Sequence, residues 1–349
     1  MLNYFSFAFD TVWIFLVAFG TTLGLLFSLC HWTPFKSILR RSEKGRESAA
    51  PRYFRLGGLA LAGGFLTTLF FDQRLVFDVA LQILLIGGGL AFLFGLVDDF
   101  WPLPWFFQLS SQVFLGTLLF FAGMTIESIH LGGGRVIEFA TLPGAVLGIT
   151  VAWTVLVMNA VNWVDGVDGL MAGVLSIAFA TLFTLSLRPE VNQPTLALLA
   201  TMLLGSLIAF LFLNWFPAKI LAGTGGAAFL GFMLAALSVY AGTKVATALL
   251  VLVVPILDTF SVIVGRLLQR RSPFLPDKHH LHHHLLELGW LPSQVTGAYM
   301  LVTSLMAFLA LSTRLLEKLG VFVAVAFLFF GIAVWVERCL IQSRARVSE

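Results

Sequence analysis

Apolar stretches long enough to cross a bilayer recur along this chain, separated by short polar interruptions. A membrane-spanning helix takes about 20 apolar residues, within roughly 17–25. Eleven runs approach that length: 11–30, 56–71, 78–97, 109–126, 142–160, 169–187, 195–213, 225–241, 245–265, 293–312 and 318–337. No period-two alternation competes with them. A lipid-exposed backbone must satisfy its own hydrogen bonds, so each run is expected as a helix. Residues 240–242 and Lys244 barely separate the eighth run from the ninth. The segment 127–141, ESIHLGGGRVIEFAT, is expected to form a short hairpin around a glycine turn.

Composition agrees. Of 349 residues, 59% are hydrophobic and 11% charged, against roughly 25% charged in a soluble domain. Soluble enzymes, disordered chains, collagens and coiled coils are thereby excluded as classes. Two cysteines exclude a disulfide scaffold and an all-cysteine metal site. The expected fold is an all-α polytopic integral membrane protein, a single transmembrane domain over 1–349 with ten or eleven spans.

The net charge of +3 does not argue for nucleic acid. In a membrane protein, Lys and Arg report topology. The first run is not expected to be a signal peptide, because its flank MLNYFSFAFD lacks a basic region and carries Asp10. The loop after it, 31–55, is dense in Lys and Arg. Most of the 21 Lys and Arg fall on alternate loops beginning with that one. The N-terminus is therefore expected outside and the C-terminus in the cytoplasm. Cys30 and Cys339 fall on the cytoplasmic side, with no catalytic role assigned.

Polar residues gather at the ends of runs. GLVDDF places Asp98 and Asp99 together at the end of the third run. Adjacent carboxylates repel unless a cation compensates, and Mg²⁺ suits such a setting. NAVNWVDGVDGL, 159–170, carries Asn159, Asn162, Asp165 and Asp168, the last three at a spacing that shares one helical face. PDKHHLHHHL, 276–285, holds His279, His280, His282, His283 and His284, near Arg266, Arg270, Arg271 and Lys278. Histidines bind metals or donate to phosphates, and the basic surroundings favour a diphosphate. Asp258 lies deep in an apolar run, where burial demands a partner. AGTGG, 222–226, is a flexible turn that can present backbone N–H groups to phosphate. Loops 31–55, 98–108, 161–168, 214–224 and 266–292 are expected on one cytoplasmic face. A shared site there suits one lipid substrate and one soluble anionic substrate.

These segments, in this order, resemble the polyprenyl-phosphate N-acetylhexosamine-1-phosphate transferase family, glycosyltransferase family 4. The resemblance rests on PRYFRLGG (51–58), GLVDDF (95–100), NAVNWVDGVDGLMAG (159–173), FPAKI (216–220) and PDKHHLHHHLLELG (276–289). It implies transfer of a sugar-1-phosphate from a UDP-sugar to undecaprenyl or another polyprenyl phosphate, with release of UMP, at the cell inner membrane. That step initiates cell-envelope polysaccharide synthesis. The His segment is closer to the UDP-GlcNAc branch than to the peptidoglycan branch. The resemblance implies Asp98 and Asp99 as catalytic residues. It implies Asp98, Asp99 and Asp168 as ligands for Mg²⁺, with Mn²⁺ as the alternative. Asn162, Asp165, His280, His282 and His283 are implied around the nucleotide and diphosphate. A homodimer stays open, and no nucleic acid partner is expected.

Two positions depart from the family pattern. Thr224 stands where a metal-binding Asp is usual, and Phe106 where a Lys is usual, whereas Gln112 fits. Both departures weaken the handling of an anionic, metal-bound substrate. A degenerate member with a regulatory or lipid-binding role is thus one alternative. A transporter is another, although the two matching halves expected of one are not evident.

Overall fold

The structure is a computed structural model that describes residues 4–31, 55–72, 74–75, 77–132, 135–240, 245–270 and 280–347. Most of loop 31–55, residues 51–54 of PRYFRLGG, Arg271, Lys278 and His279 lie outside the described residues. The helices are α1 (Tyr4–His31), α2 (Gly57–Phe71), α3 (Val79–Phe100), α4 (Trp105–Phe121), α5 (Pro143–Val164), α6 (Leu170–Ser186) and α7 (Pro194–Asn214). They continue as α8 (Gly223–Tyr240), α9 (Val245–Val251), α10 (Val253–Leu268), α11 (Leu281–Glu287), α12 (Pro292–Ser312) and α13 (Leu315–Val347).

The eleven apolar runs each land on one of these helices or on the pair α9–α10. Among the described residues, seven helices are long and apolar enough to cross a membrane, and α9–α10 makes an eighth if counted as one span. The chain is an all-α polytopic membrane protein. Helices α2, α4 and α6 are apolar but shorter.

The ninth run differs from the single helix its composition predicts. It bends by 75° between α9 and α10. Pro255, in the first turn of α10, has no N–H to offer the carbonyl of Val251, and this is a standard cause of a kink. The hairpin of β1 (Ser128–Gly132) and β2 (Arg135–Glu138) is antiparallel, pairing Ile129 with Ile137 and His130 with Val136.

The centre of the bundle is α6, α7 and α8, with Phe179, Phe210 and Phe232 fully buried. Outer helices present large apolar side chains such as Phe70, Phe121 and Phe327 to the surroundings. In hydrocarbon this exposure carries no hydrophobic cost, so packing rather than burial selects neighbours. Small residues permit the close contacts. Gly58 meets Gly226 so tightly that a Cβ on Gly58 would lie 2.5 Å from the Gly226 nitrogen. Beside that contact, the N–H groups of Gly57 and Gly58 donate to Leu221 O and Ala222 O, both at 2.9 Å. The segment leading into α8 is thereby fixed on the start of α2.

Candidate active site

Asp98 and Asp99 are consecutive at the C-terminal end of α3, so helical geometry turns them about 100° apart. They reach different environments. Asp98 Oδ1 accepts the N–H of Leu103 at 2.7 Å and the Nε2–H of Gln108 at 3.0 Å. Asp98 lines a cleft of about 460 Å³, its open mouth included, together with Gln108, Gln112, Asn162 and Thr224. Asp99 points to the start of α8. Its Oδ1 accepts the N–H of Thr224 and its Oδ2 the N–H of Gly225, each at 3.0 Å. Arg55 Nη1 lies 3.8 Å from Asp99 Oδ1. An anionic side chain on the first free N–H groups of a helix satisfies orphan donors and complements the helix dipole.

Gly223 makes this contact sterically feasible. Its φ is +73°, and a Cβ there would lie 2.6 Å from Asp99 Oδ2 and 2.7 Å from Arg55 O. Only glycine tolerates both the conformation and the approach.

The turn between α5 and α6 carries Asp165 and Asp168. Asp168 Oδ2 accepts the N–H of Ala218 at 2.9 Å, and its carbonyl accepts Thr296 Oγ1–H at 2.8 Å. Gly169 N–H donates to Asn214 Oδ1 at 3.0 Å, and Asn214 Nδ2–H to Ile220 O at 2.9 Å. The turn is therefore stapled to segment 214–220 and to α12. Asn159 Nδ2–H donates to Gln112 Oε1 at 2.6 Å, tying α5 to α4. Burial pushes the Asp165 carboxyl well above the ordinary carboxylate range. The charge of Asp99 adds to that shift and Arg55 opposes it. A carboxylate held in this way favours a nearby cation or proton.

The His segment begins α11. Asp258, from α10, accepts the Leu281 N–H on Oδ1 at 2.8 Å. Its Oδ2 lies 3.2 Å from His280 Nδ1 and 3.3 Å from His282 Nδ1. The His segment therefore supplies Asp258 with the partners its burial in an apolar run demands. His283 is half-buried, with its ring 4.4 Å from that of His282. A Cβ on Gly166 would lie 3.4 Å from His282 Nε2 and 3.6 Å from His283 Cε1, so α11 sits against the 165–169 turn.

Asp98, Asn162 and Thr224 thus share one cleft, with Asp99 behind it. Asp165 is close enough to feel the Asp99 charge, and Asp168 is held on segment 214–220. His282 and His283 meet the same turn, while His280 and His282 face Asp258. Among the described residues, one trio of His, Cys, Asp or Glu brings its ligand atoms within 4.8 Å of one another. It is Asp258, His280 and His282, rather than Asp98, Asp99 and Asp168. Phe106 is exposed, stacks edge-on with Trp105 and does not line the cleft. The α4 residue that reaches Asp98 is Gln108, which sequence reasoning missed. Its signal was the i, i+4 spacing with Gln112, which puts both amides on one helix face. Asn214 and Arg55 were also missed as site residues, since each acts across a long sequence separation.

A profile of glycosyl transferase family 4 matches residues 81–242, from α3 through α8. The decaprenyl-phosphate N-acetylglucosaminephosphotransferase of Mycobacterium leprae (strain TN) is 33% identical over 289 residues, 74% of this chain and 73% of that protein. The chain belongs to glycosyl transferase family 4. Two further relatives extend the comparison. The probable undecaprenyl-phosphate N-acetylglucosaminyl 1-phosphate transferase of Bacillus subtilis (strain 168) is 29% identical, covering 67% of this chain and 66% of that protein. The phospho-N-acetylmuramoyl-pentapeptide-transferase of Shouchella clausii (strain KSM-K16) is 29% identical over 79% of this chain and 90% of that protein. The family profile spans Asp98, Asn162, Asp165, Asp168 and Thr224, and α11 lies beyond it.

Proposed function

We propose that this family 4 member transfers an N-acetylhexosamine-1-phosphate from a UDP-sugar to a polyprenyl phosphate, releasing UMP. The carrying observation is the meeting of Asp98, Asn162 and Thr224 in one cleft, from three helices distant in sequence. The relatives' names support the acceptor class, and those of the M. leprae and B. subtilis proteins specify N-acetylglucosamine. The protein works in the cytoplasmic membrane with its N-terminus outside and the cleft facing the cytoplasm, as the charge of its loops supports.

A lipid phosphate oxygen attacks the β-phosphorus of the donor. The bond from that phosphorus to the bridging oxygen breaks, and the electron pair leaves with UMP. A phosphate monoester is already largely dianionic near neutral pH, so little proton removal is required. The protein's main tasks are positioning and charge compensation. Asp98 borders the reacting groups. Asn162 offers an amide that can both donate and accept. Asp99, with Arg55 beside it, fixes the start of α8, where Thr224 lies.

The donor set suits Mg²⁺: carboxylate and amide oxygens, with Asp165 placed where added positive charge relieves it. Asp98, which lines the cleft, would hold the ion, whereas Asp99 already serves two backbone N–H groups and Asp168 one, outside the cleft lining. Bound Mg²⁺ would neutralise the charge developing on the leaving UMP. Thr224 lines the cleft and brings no carboxylate to it. That observation favours a second reading, a family member with weak metal binding and low turnover.

Measured UMP release separates these readings. The assay combines purified protein, polyprenyl phosphate and a panel of UDP-sugars across Mg²⁺ and Mn²⁺ titrations. Saturable release at low metal supports the transferase. Release only at high metal supports the weakened member, and no release under any condition sinks both.

A further inference from the structure

Asp258 is 2% exposed in an apolar helix, and a buried carboxylate is costly unless paired and hydrogen-bonded. Its partners all come from one short element. Helix α11 has seven residues, too few to hold its own conformation in isolation. His280 at its N-cap makes no side-chain capping bond. Asp258 replaces that cap from another helix, 22 to 23 residues away, through Oδ1 and the Leu281 N–H. Its Oδ2 is hydrogen-bonded to His280 Nδ1 and lies 3.3 Å from His282 Nδ1, a charge contact outside hydrogen-bond geometry. The bend between α9 and α10 sets the direction of the helix that carries Asp258.

The histidines are not equivalent. None of the three lines the cleft, but His280 is 7% exposed and His282 is fully enclosed. His283 is half-buried, its ring tilted against that of His282 and, like His282, set against Gly166, next to Asp165. We infer that Asp258 is a positioning residue: it clamps α11 through the Leu281 N–H, His280 and His282, so that His283 is presented to the 165–169 turn. His283 is then the member of the trio that meets the donor diphosphate, and His280 and His282 belong to the clamp. The inference rests on the transferase reading and narrows the substrate-facing part of the His cluster.

The test compares Asp258→Asn, Asp258→Glu, His283→Gln and the double variant Asp258→Asn/His283→Gln. Misplacing a substrate-facing group by about 1 Å costs about 100-fold in rate. Asp258→Asn and His283→Gln should each lower kcat/KM for the UDP-sugar by about 10- to 100-fold, and the double variant by no more than the worse single one. Asp258→Glu should restore part of the loss. Multiplying losses, or an unaffected Asp258→Asn enzyme, overturn the inference. A second measurement does not depend on turnover: the rate at which diethylpyrocarbonate modifies His283, read by mass spectrometry. Asp258→Asn should change that rate at least about threefold, and Asp258→Glu should move it back. An unchanged rate overturns the positioning role even in an inactive protein. A changed rate in a protein that never releases UMP retains the clamp and removes the transferase reading. Co-purification of one zinc per chain, lost in Asp258→Asn, overturns the hydrogen-bonded clamp in favour of a metal site.

Discussion

The Asp99 carboxylate accepts the backbone N–H of Thr224 at 3.0 Å, joining residues 125 apart in the sequence. With the Gly225 N–H on the other oxygen, it closes the start of α8. Asp98, one residue earlier, opens onto the cleft instead. Two residues with the same chemistry are divided between architecture and the cleft by the turn of one helix.

Substitution should expose that division. Asp99→Asn keeps one acceptor, loses the charge and should destabilise the protein by about 1–2 kcal/mol. Asp98→Asn should leave stability within about 0.5 kcal/mol and abolish UMP release. Thermal unfolding in detergent, alongside the UMP assay, checks both. Equal stability of the two variants contradicts the assignment.

Gly223 supports the same contact. Gly223→Ala places a methyl against Asp99 and Arg55 at a positive φ, at a cost of about 1–3 kcal/mol in backbone strain. It should lower both the unfolding temperature and UMP release. Gly148→Ala is the control, because among the described residues no atom beyond its own stretch of helix lies within 4 Å of its added Cβ. A Gly223→Ala protein as stable as the control shows that the loop relaxes freely.

Asp165 predicts a pH effect in metal-free protein. Burial raises its carboxyl in the fold, so the native state binds more protons than the unfolded state. The stabilisation is complete below the ordinary carboxylate value of about 4 and is lost as pH rises through the raised native value. In chelator, the unfolding temperature should fall as pH rises through this window. Asp165→Asn should flatten the dependence, and added Mg²⁺ should shift it to lower pH. A profile identical in wild type and Asp165→Asn removes Asp165 as its source.

The α4 and α8 positions predict unequal gains. Phe106→Lys lies outside the cleft and should change kcat/KM by less than about twofold. Gln108→Lys puts an ammonium group beside Asp98 and should lower the KM for the UDP-sugar. Thr224→Asp adds a carboxylate at the cleft wall and should lower the Mg²⁺ concentration for half-maximal rate. A larger gain from Phe106→Lys than from Gln108→Lys reverses this order.

The membrane class, the helical elements and the chemically loaded segments were legible in the sequence because each is a local property. A run of apolar residues forms a helix in lipid wherever it packs, and Asp98, Asp165 or His283 stands out by rarity alone. The bend at α9–α10 was written in Pro255, yet the length of the run pointed to one straight helix. Facing was not legible. Helices apolar all round carry no stripe that says which side is buried, so Phe106 rather than Gln108 was expected at the site. The His cluster read as one ligand set for the same reason.

The sequence by itself determined an all-helical membrane protein, the order of its spans and the stock of carboxylates, amides and histidines available at their ends. Tertiary structure alone decided that Asp99 closes α8 while Asp98 meets the cleft, and that Asp258 takes up His280 and His282. The physical reason is range. Helix formation is settled by hydrogen bonds four residues apart, whereas each site contact joins groups on separate helices and depends on how those helices pack.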